Sequence, residues 1–284
     1  MSYKSLLTVV NEPVAADGLR QILENSNKND MHLAVQIFGI APPNPVYSYG
    51  LPPHGGVIIP DDWSETIQEG AQRVLDSAQI VEKSLQKMGV SGSVVTSYCE
   101  RGWVEVETAR SASVADLVVL SRKGLLAGDI WPSVLSGILF RSPVPVLIGN
   151  SENDWALDAK NVFVACNVAR ESMRAIHQAL PILKQANQVT LGIFDPVINE
   201  DADGEDPGTD VAAWLSRHGC KVDVQQYPSG GLEIGEAIKK RAFDLGADLV
   251  VMGAYGHSKL RQRIFGGTTT TMLEQQKLPL FLSH

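Results

Sequence analysis

A short glycine-rich segment sets the chemistry this chain can offer. Behind the apolar run 249–252, ending at Met252, come Gly253 and Gly256, then Gly266 and Gly267, then Thr268 and Thr269. Glycine has no Cβ, so its main chain approaches a ligand closely and takes positive φ without steric cost. A helix predicted over 268–275 starts at once, and its first turn leaves N–H groups unpaired beneath a partial positive charge. Bared backbone leading into a helix start is a cradle for phosphate, with a Thr268 or Thr269 hydroxyl as an added donor. His257, inside the segment, either touches such an anion or faces solvent. Lys259, Arg261 and Arg263 either neutralise phosphate across the crevice or form a wet face.

Other chemistries find less support. The six histidines, at 32, 54, 177, 218, 257 and 284, contain no i, i+4 pair and no neighbouring carboxylate at metal spacing. Cys99, Cys166 and Cys220 lie far apart, which suits a reducing compartment and three small buried side chains. Gly-x4-Gly-Lys-Ser/Thr is absent, and so is Gly-x-Ser-x-Gly, which excludes a P-loop and a nucleophile elbow. Segment 199–210 carries Glu200, Asp201, Asp203, Glu205, Asp206 and Asp210, but its spacing fails the calcium-loop pattern, so it reads as a solvated acidic loop. With 24 basic and 32 acidic residues the net charge is −8, which disfavours sequence-independent nucleic-acid binding.

The elements that must hold the glycine segment are legible through a duplication. Segment 4–11, KSLLTVVN, reads like 160–167, KNVFVACN; 115–120, ADLVVL, reads like 247–252, ADLVVM; and 144–147, VPVL, reads like LPLF at 278–281. The offset shrinks from 156 to 132 residues between the first two pairs, so the first copy carries about 24 residues more. Segment 39–62 holds six prolines and is the expected insert, a long loop bringing Tyr47, Tyr49 and Trp63 near the mouth of the first copy. The expected organisation is a domain at 1–150 and a second at 157–284.

Within the second copy, short runs apolar on both faces at 162–166, 189–194, 222–225, 249–252 and 280–282 read as buried parallel strands. Between them Met173, Ile176, Leu180 and Leu183 recur at helical spacing, with Pro181 expected to kink that helix, and Ile234, Ile238, Ala242 and Leu245 do the same. In the first copy Ile67, Ala71, Val74, Ala78, Val81 and Leu85 form one stripe ending at Gly89. Alternating strand and helix imply two tandem doubly wound α/β domains, each a parallel five-stranded sheet with helices on both faces. Ligands of such sheets sit beyond the carboxyl ends of the strands, where strand order reverses.

Gly-x2-Gly-x9-Gly between the fourth strand and the last helix resembles the nucleotide motif of the universal stress protein family, and the two copies resemble its tandem type. The resemblance implies ATP or ADP, with Mg2+ bridging its phosphates, held by Cys166, Asn167, Met252, Gly253, Gly256, His257, Gly266, Gly267, Thr268 and Thr269. Gly253 would approach the ribose, and Gly256, Gly266, Gly267 and Thr268 the phosphates. Two positions depart from the family pattern: Gly267 stands where Ser is frequent, and Asn167 where nucleotide-binding members carry Asp. Segment 229–233, Ser-Gly-Gly-Leu-Glu, has a faint likeness to the pyrophosphatase loop of related nucleotide alpha-hydrolases, but it precedes a helix of the second copy and reads as a turn.

In the first copy the corresponding stretch is Ser121-Arg-Lys-Gly124, with Trp131 and Pro132 on the approach to its last helix, so the motif is lost and one nucleotide per chain is expected. The reading is a stress-response regulator that binds an adenine nucleotide in its second domain, with slow hydrolysis at most, because no motif positions a general base. Its partners would be that nucleotide and an unidentified protein, with no nucleic acid and no membrane. The strands ending near Leu147 and Phe281 are expected to pair with each other or to join two chains as a homodimer. A cytoplasmic location is expected, since run 6–10 is too short for a signal-peptide core. The alternatives are a scaffold without nucleotide, and a carrier of an apolar metabolite or lipid in the first domain.

Overall fold

The computed structural model describes residues 2–14, 16–43, 62–122, 130–150, 153–196, 208–255 and 267–284. In the first repeat they form β1 (Ser5–Asn11), α1 (Ala16–Lys28), β2 (His32–Ile40), α2 (Trp63–Met88), β3 (Gly92–Cys99), α3 (Val104–Ala112), β4 (Leu117–Leu120), α4 (Trp131–Arg141) and β5 (Val146–Ile148). The second runs through β6 (Asn161–Ala165), α5 (Arg170–Leu183), β7 (Gln188–Phe194), α6 (Thr209–Arg217), β8 (Val222–Tyr227), α7 (Ile234–Asp244), β9 (Leu249–Gly253), α8 (Gly267–Glu274) and β10 (Leu280–Ser283). Both repeats follow the same alternation of strand and helix, with helices on both sides of mostly parallel sheet. Among the described residues, no helix is long and apolar enough to cross a membrane.

Two compact units divide the chain. One contains Lys4–Ala115 and Lys123–Ser142; the other contains Met1–Tyr3, Asp116–Arg122 and Pro143–His284. In the first unit β1, β2 and β3 run parallel with β2 central. Gly39 and Gly70 let α2 lie close on this sheet, because a Cβ on Gly39 would meet Val74 Cγ2, and one on Gly70 the Tyr98 hydroxyl, each at 2.2 Å. The proline-rich segment thus begins inside a strand rather than a loop: β2 continues to Ile40, with Gly39 in register with Tyr98. Its residues 44–61, with Tyr47 and Tyr49, lie outside the described residues, and Trp63 opens α2. The NH2 group of Gln36, wholly buried, donates to Ser97 Oγ at 3.0 Å and to the Glu107 carbonyl at 3.3 Å.

In the second unit the strand order is β4-β5-β10-β9-β6-β7-β8. All pairings are parallel except β5 with β10, where Leu147 faces Phe281. The two terminal strands therefore pair with each other inside one chain. β4, β5, β9 and β10 are buried along nearly their whole length, which explains their unbroken apolar runs. The outer strand β8 alternates half-buried with exposed polar residues such as Asp223 and Gln226. Gly192 in β7 leaves room for the Phe163 ring, which stands 2.3 Å from where a Cβ would sit. Helix α5 ends two residues beyond Pro181.

Candidate functional site

Strand order reverses between β6 and β9, where the chain leaves one strand towards β7 and enters the other from α7. A cavity of about 410 Å³ opens there, at the carboxyl ends of both strands. It brings together seven residues named from sequence: Cys166 and Asn167 after β6, Met252 and Gly253 ending β9, and Gly267, Thr268 and Thr269 in the first turn of α8. Gly256, His257 and Gly266 lie outside the described residues, as do Lys259, Arg261 and Arg263. The cavity also takes in Ala165, Glu171, Ser172, Phe194, Ile234, Ile238 and Tyr255, which sequence reasoning did not assign to a site.

The β6 end is folded tightly. Val168 adopts φ 57°, a left-handed conformation that a β-branched residue rarely takes. That turn lets the Val168 N–H reach Cys166 Sγ at 3.4 Å and the Ala169 N–H donate to Asn167 Oδ1 at 3.2 Å. Asn167 thus spends its acceptor on the entry to α5 and keeps its NH2 group as a donor. Burial raises the Cys166 thiol above its ordinary value, against the lowering effect of the Val168 N–H and the Ser172 hydroxyl. At pH 7 this is a neutral, buried thiol and a poor nucleophile.

Gly253 is needed by the fold itself. A Cβ there would stand 2.5 Å from the Ser172 nitrogen and 2.6 Å from the Glu171 carbonyl carbon, so β9 abuts the first turn of α5. Gly267 differs: among the described residues its Cβ would meet only Glu233 Oε2, at the ordinary contact distance of 3.7 Å, so they leave the start of α8 uncrowded. Gly235 brings α7 against α8, with Thr271 Cβ 2.7 Å from its would-be Cβ. Tyr255, at φ 65°, turns the chain so that its N–H points to the buried Thr269 Oγ1 at 3.4 Å. Burial raises the Tyr255 phenol well above its ordinary value. The Thr269 hydroxyl is therefore engaged with main chain, while Thr268 is half-exposed at the rim.

Phe194, Ile234 and Ile238 form an apolar wall, and Phe194 packs on Tyr227 at 5.4 Å between ring centroids. The Ser229-Gly230-Gly231 segment is a turn, with φ of 65° and 82° at the glycines. Its Ser229 N–H donates to Asp195 Oδ1 at 2.8 Å; with the Ser229 hydroxyl it holds that carboxyl below the usual carboxylate range. Among the described residues no group of three or more His, Cys, Asp or Glu gathers at metal-binding distance.

No family model matches the sequence, and no curated protein does. Solved structures match its fold along nearly the whole chain. A universal stress protein from Archaeoglobus fulgidus is 16% identical, with 98% of this chain and 95% of that chain covered at a TM-score of 0.67. A functionally unknown protein from Pseudomonas aeruginosa is 14% identical, with 99% and 92% covered at 0.54. A universal stress protein in complex with cAMP matches 45% of this chain over 98% of its own length, at 17% identity and a TM-score of 0.35. The chain has the fold of universal stress proteins, in two repeats.

Proposed function

We propose that this chain, a tandem protein of the universal stress fold, is a stress-response regulator that binds ATP or ADP at the carboxyl ends of β6 and β9. One observation carries the reading: the strand-order reversal opens into a cavity of about 410 Å³, within the range of small-molecule sites. Its residues suit an adenine nucleotide. Phe194, Ile234 and Ile238 offer an apolar slot for a planar base, and Asn167 keeps two N–H donors. The open first turn of α8 supplies main-chain N–H groups to an anion, with Thr268 at its edge. Mg2+, when it accompanies the nucleotide, supplies charge neutralisation, and Glu233 is a carboxylate beside that helix start.

Binding without efficient turnover follows from the same residues. Asn167 cannot take a proton as a general base, and Cys166 is held neutral. The regulatory output would be a change in how segment 253–267 is presented to a partner protein, driven by the nucleotide's preference for one arrangement. Equilibrium dialysis of the full chain against radiolabelled ATP and ADP tests this. Retention that saturates at one nucleotide per chain is expected; failure to retain either defeats the reading and leaves a scaffold.

A further inference from the structure

The cavity holds a charge that the glycine segment did not foretell. Among the described residues that line it, Glu171 is the one acidic or basic side chain. It stands in the first turn of α5, where a helix favours a negative side chain. No described residue donates a hydrogen bond or an ion pair to its carboxylate. Its place along the cavity is fixed by backbone: its carbonyl carbon lies 2.6 Å from where a Gly253 Cβ would be, so it sits against the end of β9. Asn167, four residues earlier in the same cavity, has turned its oxygen to the Ala169 N–H and presents donors. A half-buried carboxylate that finds no donor among the described residues can take donors from a ligand in the cavity.

Resting on the nucleotide reading above, we propose that Glu171 is the specificity-determining acceptor of the site, taking both hydroxyls of a ribose cis-diol. A cis-diol presents two O–H donors side by side, which match the two oxygens of one carboxylate. An anionic tail is repelled by this residue and directed instead to the first turn of α8, which leaves the sugar at the Gly253 end. Glu171 thus supplies from the helix the acceptor that Asn167 does not offer from the strand. The chain would select ribonucleotides over deoxyribonucleotides.

The test titrates the full-length protein and its Glu171→Gln variant with ATP, 2′-deoxy-ATP and ITP. Wild type should bind ATP at least about tenfold tighter than 2′-deoxy-ATP. In Glu171→Gln that ratio should collapse towards one, through weaker ATP binding, while retained 2′-deoxy-ATP binding certifies an intact site. ITP, which lacks the base amine, should show the same dependence on Glu171 as ATP. Equal wild-type affinity for ATP and 2′-deoxy-ATP, a preference that survives in the variant, or a Glu171 effect that vanishes with ITP, overturns the assignment to the diol but leaves nucleotide binding standing. If wild type binds none of the three, both fall.

Discussion

Two fourth strands of nearly the same sequence, β4 and β9, lead into opposite endings. At the end of β9, Gly253 lets main chain pass close to α5, and α8 opens on Gly267, where among the described residues a Cβ would meet only the Glu233 carboxylate. Behind β4, Ser121 is buried and Arg122 turns inward. The Arg122 guanidinium donates from Nε to the Gly149 carbonyl at 2.9 Å and from Nη1 to the Leu273 carbonyl, near the end of α8, at 2.8 Å. Burial lowers its pKa from the ordinary arginine value. The helices that follow differ alike, α4 beginning Trp131-Pro132 where α8 begins Gly267-Thr268. One ending spends its side chain on structure and the other places glycine at the same step, so a duplicated strand does not carry a duplicated ending.

Adding one methyl group breaks the comparison most sharply. Gly253→Ala places a Cβ 2.5 Å from α5 backbone, which cannot yield as a side-chain tip would. It should cost about 3 kcal/mol in urea denaturation, whereas Gly267→Ala, whose Cβ meets the described residues no closer than 3.7 Å, should stay within about 0.5 kcal/mol of wild type. Equal losses for the two would refute the assignment of different roles. Next in size, Arg122→Ala strips charged donors from two carbonyls and should cost about 2 kcal/mol by the same measurement. A neutral outcome would show that the β4 ending is not a structural tie.

A further expected effect concerns one thiol at a strand end. Cys99, ending β3, is pushed from 9.0 up to about 11 by burial first and then by Glu107 and Glu100. A raised folded-state value means that its stabilising contribution is complete below pH 9 and is lost as pH rises towards 11. Wild type should therefore lose more stability between pH 9 and pH 11 than Cys99→Ser, measured by thermal melting across that window. Identical pH profiles would contradict it.

Strand periodicity was legible almost to the residue. The runs at 189–194 and 249–252 appear as Gln188–Phe194 and Leu249–Gly253, because a strand buried on both faces leaves an unbroken apolar signal. The helix expected over 268–275 appears as Gly267–Glu274. The pairing of the terminal strands was legible as one of two options, and the chain takes the internal one. Seven residues that line the cavity could be named: Gly253, Gly267, Thr268 and Thr269 because glycines and a helix start mark themselves in sequence, and Cys166, Asn167 and Met252 through the family resemblance. Glu171 could not be named, since a carboxylate in a helical first turn looks like ordinary charge placement until β9 is seen against it. Ile234 and Ile238 read as core, and periodicity does not distinguish a face that packs from one that lines a cavity. Phe194 carried the best missed signal, for it ends the strand beside β6, at the edge where such sheets take ligands.

The central claim is that the open start of α8 receives an anion at one site per chain. Calorimetric titration of wild type and Gly267→Val with ATP tests it most directly, since among the described residues a Cβ at 267 meets only the Glu233 carboxylate, at 3.7 Å. The account predicts a stoichiometry of one in wild type and an affinity at least about tenfold weaker in a variant of unchanged stability. Two sites per chain, or the same affinity in both proteins, would contradict it.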